Sequence, residues 1–155
     1  MRSVDSWFSE YSESHRNPTN EALHFVCVPA IVLSMIGLLW SLPVPAALAS
    51  LSPAVNWASL AALAIVCYYA LLSPRLALGM LPLLVLGLAV IALLARLPAP
   101  LWATSAAIFV IAWIGQFVGH AAEGRRPSFF KDAQFLLIGP LWVLSFAYRR
   151  LGLRY

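Results

Sequence analysis

Three histidines, His15, His24 and His120, are the side chains of this chain best suited to carry chemistry. His15 precedes the first long apolar segment, His24 lies near the start of that segment, and His120 lies at the end of the fourth. Imidazole suits zinc, iron, copper and nickel, and several histidines with open positions suit a non-haem iron that binds oxygen and substrate together. One interfacial histidine alone is more simply explained by hydrogen bonds to backbone or headgroups. Three together, with no histidine elsewhere in the chain, favour a metal site.

Two amide side chains precede these histidines at helical spacing. Asn20 lies one turn before His24, and Gln116 lies one turn before His120, so each amide can orient the neighbouring imidazole. The alternative for Asn20 is that it satisfies the free amides of a helix start. Both are therefore candidates for positioning the histidines or a bound substrate.

One carboxylate and two arginines follow at the end of the fourth apolar segment. Gln116, His120 and Glu123 share one face if the helix continues through them. Glu123 is a candidate catalytic residue that can ligate the metal, accept a hydrogen bond from a histidine N–H, or pair with Arg126. Of these roles we favour the hydrogen bond. Arg125 and Arg126 either clamp a substrate carboxylate or only fix the orientation of a helix end in the membrane.

The rest of the chain has the composition of a membrane protein. Of its 155 residues, 62% are hydrophobic and 10% are charged, and the mean hydropathy is +0.85. These values are too apolar for a soluble domain of this length. The first twenty residues carry charges and no apolar core, so we expect neither a signal peptide nor a transit peptide there. Cys27 and Cys67 lie in apolar runs, where buried thiols are expected rather than a disulfide or metal ligands.

The apolar runs predict an all-α, polytopic membrane helical bundle that forms a single domain over residues 1–155. Residues 1–16 should lie at the membrane interface, with the aromatic side chains of this segment in the headgroup zone, and Asn17 followed by Pro18 predicts a helix start. Four full transmembrane helices follow. The last apolar run is short for a span and is broken by Gly139 and Pro140, so it either re-enters, lies at the interface or spans. The predicted helices cover residues 18–42, 54–72, 76–95 and 101–120, with a short C-terminal helical segment at 133–148.

An even number of crossings brings the histidines to one side of the membrane. With four crossings, the start of the first helix and the end of the fourth lie on the same side. The excess of basic residues on that side predicts that it is cytoplasmic, because only Arg96 lies on the other side before the last segment is counted. The basic residues on the histidine side are Arg2, Arg16, Arg75, Arg125, Arg126 and Lys131.

The formal charge of +4 does not indicate a nucleic-acid partner. The basic residues are scattered at helix ends, where anionic lipid headgroups explain them better. The sequence contains no Gly-rich phosphate loop, Cys-x-x-Cys pair or serine nucleophile motif. Membrane lipids are therefore the expected surroundings, and the oligomeric state is not determined by the sequence.

Two motifs, one around the start of the first predicted helix and one that begins near the end of the fourth, together resemble the membrane-bound 2-hydroxy fatty acid dioxygenases of fatty acid α-oxidation. Their order and internal spacing agree with that family, and the similarity spans nearly the whole chain. The matching residues of the first motif are Tyr11, His15, Asn17, Pro18, Asn20, His24 and Pro29. Those of the second are Trp113, Gln116, Phe117, Gly119, His120, Glu123, Arg126, Pro127, Asp132, Gly139 and Pro140.

This resemblance implies an iron(II)-dependent enzyme that uses dioxygen to cleave a 2-hydroxy fatty acid between its carboxyl and hydroxyl-bearing carbons. The product would be a fatty acid one carbon shorter, and no organic cofactor would be required. A chelating 2-hydroxy carboxylate could occupy two open positions on an iron held by histidines, while the acyl tail lies among the apolar helices. Histidines at the interface would place the metal at the depth of a fatty acid's head.

Two other classes of function remain open from the sequence. A non-catalytic membrane scaffold would carry no stoichiometric metal and would leave the histidines as interfacial residues. A small lipid transporter would use the polar residues to mark a pathway. Against a transporter, the second and third predicted spans hold no charged residue, and the motif is not repeated between the two halves.

Overall fold

The computed structural model describes residues 2–52, 54–127 and 134–155. Over these residues the protein is all-helical, as predicted, with seven helices and no strand. The helices are α1 (Val4–Ser12), α2 (Pro18–Trp40), α3 (Ala46–Ala49), α4 (Trp57–Leu72), α5 (Pro74–Leu94), α6 (Leu101–Glu123) and α7 (Phe135–Arg150).

Three helices of the described chain are long and apolar enough to cross a membrane, namely α2, α5 and α6. The prediction of four full spans plus a fifth segment is therefore only partly right. The predicted helix at 54–72 begins later, at Trp57, because the side chain of Asn56 accepts hydrogen bonds from the amides of Ala58 and Ser59 and caps the helix there. Its 16 residues extend over about 24 Å, less than the roughly 30 Å of a bilayer core.

The ends of α2 and α6 follow local signals. Asn17 accepts a hydrogen bond from the amide of Thr19 at 2.9 Å, and Pro18 occupies the first turn, so α2 begins where the sequence predicts. Gly124, at φ 69°, closes α6 in the left-handed conformation that glycine adopts without strain. As a result α6 continues past its predicted end at residue 120 and includes Glu123.

Small residues let α2 and α6 pack closely as an antiparallel pair. A Cβ added at Gly119 would lie 3.3 Å from the Cα of Asn20, and one added at Gly115 would lie 2.6 Å from the Sγ of Cys27. Glycines four residues apart on one helix face are typical of close contacts between membrane helices. This contact holds the last turns of α6 beside the first turns of α2.

The shorter helix α4 runs between the two ends of the bundle. Near its start, the indole N–H of Trp57 donates to the carbonyl of Pro43, just beyond the end of α2. Near its end, the hydroxyl of Tyr69 donates to the carbonyl of Leu137 in α7. The chain thus leaves the histidine end along α2, returns along α4, leaves again along α5 and returns along α6.

The C-terminal helix α7 lies at the histidine end of the bundle. The hydroxyl of Tyr148 donates to the carbonyl of Arg75 at the start of α5, and the indole N–H of Trp142 donates to the hydroxyl of Ser12 at the end of α1. These contacts agree with the interfacial placement that the sequence left open. Residue 133, where the sequence places the start of this segment, lies outside the described residues.

The aromatic residues of α1 are buried rather than inserted among headgroups. Trp7, Phe8 and Tyr11 are each exposed by 6% or less. Trp7 packs edge-on against Phe135, with ring centroids 5.2 Å apart. The interfacial segment of the sequence prediction is therefore a helix whose apolar face is covered by α7, because that face finds a protein partner.

Candidate metal centre

The three histidines come together at one end of the bundle. His15 lies in the turn between α1 and α2, His24 in the second turn of α2, and His120 in the last turn of α6. Their side chains are 4%, 1% and 3% exposed, and one ring nitrogen of each lies within 4.8 Å of those of the other two. Such a cluster could hold a metal ion.

Hydrogen bonds fix which nitrogen of two of these rings carries the proton. The Nδ1–H of His15 donates to the carbonyl of Tyr11 at 2.6 Å, and the Nδ1–H of His24 donates to the carbonyl of Asn20 at 2.9 Å. A carbonyl oxygen only accepts, so both rings are protonated at Nδ1 and keep a lone pair at Nε2. Ligating histidines commonly make this bond to a backbone carbonyl.

The two unprotonated ring nitrogens lie close together, in rings that are nearly perpendicular at an interplanar angle of 81°. The Nε2 atoms of His15 and His24 are 2.8 Å apart. With both protons held at Nδ1, nothing in the pair supplies a proton to that short contact, so a cation between the rings would relieve the repulsion. The two nitrogens would serve as neighbouring ligands of a bound metal ion.

His120 completes the cluster, and one of its two ring nitrogens has no hydrogen-bond partner among the described residues. This nitrogen is the buried Nδ1. The centroid of its ring lies 4.8 Å from that of His15 and 5.1 Å from that of His24. A buried unpaired ring nitrogen calls for a bound ion or solvent. The donor set therefore fits a metal site.

Aromatic packing holds His15 in place and keeps it neutral. The ring of Tyr11 stacks on the imidazole of His15 at 4.1 Å with an interplanar angle of 8°, and the ring of Trp142 lies 5.3 Å from it. Burial, with a smaller contribution from nearby His24, lowers the pKa of His15 to about 3. His15 is therefore neutral at physiological pH, and its Nε2 lone pair is free to bind a metal.

Glu123 ties the turn that carries His15 to the end of α6. Its carboxylate accepts hydrogen bonds from the backbone amides of Arg16 at 3.0 Å and Asn17 at 2.7 Å, and from the side-chain amide of Asn20 at 3.2 Å. These bonds differ from the three roles that the sequence suggested. In the described part of the chain, the one ion pair joins Arg2 to Glu10, so Arg126 is not paired with Glu123.

The two predicted amides play different parts. The Nδ2 of Asn20 donates to the carbonyl of Ser14 at 2.9 Å as well as to Glu123, so this side chain fastens the turn before α2 and is fully buried. Gln116 faces a small cavity of about 60 Å³, together with His24 and His120. Its Nε2 is buried and finds no hydrogen-bond partner within the described residues.

The two predicted arginines lie away from the centre. Arg125 and Arg126 are exposed just after α6, and neither lines the small cavity. An exposed position at a helix end suits residues that fix the orientation of that helix in the membrane, which is one of the two roles considered from the sequence. The other role, binding a substrate carboxylate, stays a prediction.

Sequence reasoning missed several residues that position the histidines. Tyr11 was noted for its type, yet its carbonyl and its ring both contact His15. Trp142 was not singled out, because no spacing links it to residues so distant in the chain. The two glycines at 115 and 119 did carry a readable signal, the Gly-x-x-x-Gly pattern of close helix contacts.

Comparison with known proteins identifies the family. The family described as "2-hydroxy-palmitic acid dioxygenase Mpo1-like" matches residues 1–151 of the 155-residue chain. No curated protein and no solved structure matches this chain. The match spans all three histidines and every helix of the fold, and it confirms the resemblance drawn from the two motifs. This chain therefore belongs to the Mpo1-like family.

Proposed function

We propose that this protein is an Fe(II)-dependent dioxygenase that shortens 2-hydroxy fatty acids by one carbon, as in fatty acid α-oxidation. His15, His24 and His120 would hold the iron, dioxygen would be the co-substrate, and no organic cofactor would be needed. The name of the family supports a dioxygenase acting on a 2-hydroxy fatty acid. The observation that carries a metal is the cluster of three buried histidines, each with a ring nitrogen within 4.8 Å of those of the other two.

The proposed reaction balances with one dioxygen for each hydroxy acid. The bond between the carboxyl carbon and the hydroxyl-bearing carbon breaks, and the carboxyl carbon leaves as carbon dioxide. The hydroxyl-bearing carbon is oxidised to the new carboxyl group, and the electrons released reduce dioxygen, with one water formed. Bound iron would supply open positions for the chelating hydroxy acid and for oxygen.

The protein's own residues would bind and orient the substrate. Gln116 lines the small cavity, and its buried Nε2, which has no partner among the described residues, would donate a hydrogen bond to an oxygen of the acid. The stacked rings of Tyr11 and His15 leave little room for bulk water around the site. Glu123 and Asn20 would act only through the turn that carries His15, because their bonds go to that turn.

We also propose how the protein sits in the membrane. Both ends of α4 reach the two ends of the bundle, so α4 would cross as a short helix beside the three long ones, with local thinning of the bilayer. The histidine end would face the cytoplasm. The basic residues predicted for that side are joined by Arg149, Arg150 and Arg154, since α7 lies at the same end.

Iron content and turnover measured on single variants would test this function. Replacing His15, His24 or His120 by Ala should remove most of the iron and the oxygen-dependent consumption of 2-hydroxyhexadecanoic acid, because each change deletes a proposed ligand. Asn20→Ala should be milder, at about 10 to 100-fold in metal affinity, since it disturbs only the support of a ligand. Protein purified without stoichiometric metal would instead support a scaffold. A histidine variant that keeps full iron and turnover would remove that histidine from the site.

A further inference from the structure

A second and much larger cavity is an apolar cleft between α2, α5 and α7, with a volume of about 950 Å³. Along α2 it extends from Glu21, near the histidine end, to Ile36, a rise of about 22 Å. Of the described residues that line it, Glu21 and Arg150 are the charged ones, and both lie at the histidine end. The deeper walls are hydrocarbon, supplied by Leu, Val, Ile and Met side chains with Gly87 among them.

This cleft adjoins the small cavity at the metal centre. Val28, Val32 and Pro140 line both spaces, so the side chains of these three residues stand between the cleft and the histidine rings. Small movements of two valines and a proline would therefore join them. Once the two spaces are joined, a ligand whose head reaches His24 and His120 would extend past Val28 into the cleft.

We propose that this cleft holds the acyl tail of the 2-hydroxy fatty acid and that its deep end, at Gly87 and Val90, sets the preferred chain length. The inference rests on the proposed function, since it places the tail of the substrate whose head lies at the histidines. Apolar walls at the depth of the bilayer core suit a hydrocarbon chain. The volume lies within the usual range of ligand sites, about 300–1,000 Å³.

The absence of a side chain at Gly87 leaves space for a ligand at the deep end of the cleft. A Cβ added there would lie 3.2 Å from the Cδ1 of Ile36 and 3.9 Å from the Cδ1 of Leu33, both on the facing wall of the cleft. A large side chain at this position would fill the space between α5 and α2. Each methylene displaced from an apolar site weakens binding about fourfold, so two displaced methylenes weaken it more than about tenfold.

Binding of two acids to iron-loaded protein in lipid nanodiscs, without oxygen so that no turnover occurs, tests chain length. Gly87→Phe should weaken binding of 2-hydroxyhexadecanoic acid by about tenfold or more and leave 2-hydroxydecanoic acid within about twofold. Val90→Phe, at a residue that lines the same end, should act in the same direction. Ala89→Phe, which adds the same ring to the exposed side of α5, is the matched control and should change neither. Equal loss of both acids, or no loss in either lining variant, would overturn the proposal.

Photo-crosslinking locates the tail independently of activity. A 2-hydroxy fatty acid with a diazirine near its methyl end should label α5 around Gly87 and Val90, and excess unlabelled acid should abolish the labelling. Labelling that does not saturate, or that falls on the outward residues Val85 and Ala89, would overturn the cleft site. Wild-type protein that shows saturable labelling in the cleft but no iron and no turnover would instead refute the proposed function, so the two failures are distinguishable.

Discussion

His15 and His24 make the same local hydrogen bond, which leaves the Nε2 of each ring unprotonated. Each donates its Nδ1–H to the carbonyl of the residue four positions earlier, Tyr11 and Asn20 respectively. The bond forms within one stretch of helix or turn, so it sets the tautomer without help from the rest of the fold. The tertiary structure then needs only to bring the two prepared Nε2 atoms together, and it brings them to 2.8 Å.

The role of Glu123 can be tested against that of the histidines. Glu123→Ala removes the acceptor for the amides of Arg16 and Asn17, so the turn that carries His15 should loosen and iron should bind about 10 to 100-fold more weakly. Glu123→Gln keeps one acceptor oxygen and should lose less. Equilibrium iron binding is the measurement, and Glu13→Ala, at an exposed carboxylate nearby, is the control. A loss in Glu123→Ala as complete as in His24→Ala would make Glu123 a ligand.

At the scale of helices, the contact between α2 and α6 fixes the distance from His120 to the other two rings. Gly119 packs against Asn20. Asn20 lies one turn before His24 in α2, and Gly119 directly precedes His120 in α6. Side chains wider than hydrogen at residue 119 would push the backbones apart at the point nearest the site. The affinity of the metal centre is therefore coupled to helix packing at a residue that would not touch the metal.

Gly119→Ala should separate this helix pair. The added methyl would lie 2.5 Å from the Oδ1 and 3.3 Å from the Cα of Asn20, and overpacking of this kind costs about 1–3 kcal/mol. We expect lower thermal stability in detergent and weaker iron binding, both measured on the same preparation. Ala121→Val, at an exposed position of the same helix, is the control and should change neither. Normal stability with normal iron binding in Gly119→Ala would show that the close contact is not needed.

Much of the arrangement of helices could be predicted from the sequence, and the failures have physical causes. The start of α2 was readable because Asn17 and Pro18 signal it locally. The start of α4 was predicted too early, at residue 54, because the apolar run was followed without the cap signal that Asn56 carries just as Asn17 does. The three histidines were identifiable by type and position. The bonds of Glu123 were not, because its partners Arg16 and Asn17 lie more than a hundred residues away in the chain and only the fold brings them near.

At the scale of the whole molecule, the histidine cluster limits the topology. His24 near the start of α2 and His120 at the end of α6 meet in one site, so the chain between them must make an even number of passes. Only three helices of the described chain have spanning length, an odd number. The fourth pass would therefore be made by α4. Its 16 residues extend over about 24 Å and would require a locally thinned bilayer.

Labelling of single cysteines would test this topology and its orientation. In a background of Cys27→Ala and Cys67→Ala, we expect Glu13→Cys and Arg125→Cys to react with a membrane-impermeant maleimide from the cytoplasmic side. Ala99→Cys, in the exposed turn between α5 and α6, should react from the opposite side. The first two sites flank the histidine end, so they must share a side if α4 crosses. Reaction of Glu13→Cys and Arg125→Cys from opposite sides would refute the short crossing, and reaction of both from the non-cytoplasmic side would refute only the orientation drawn from the arginines.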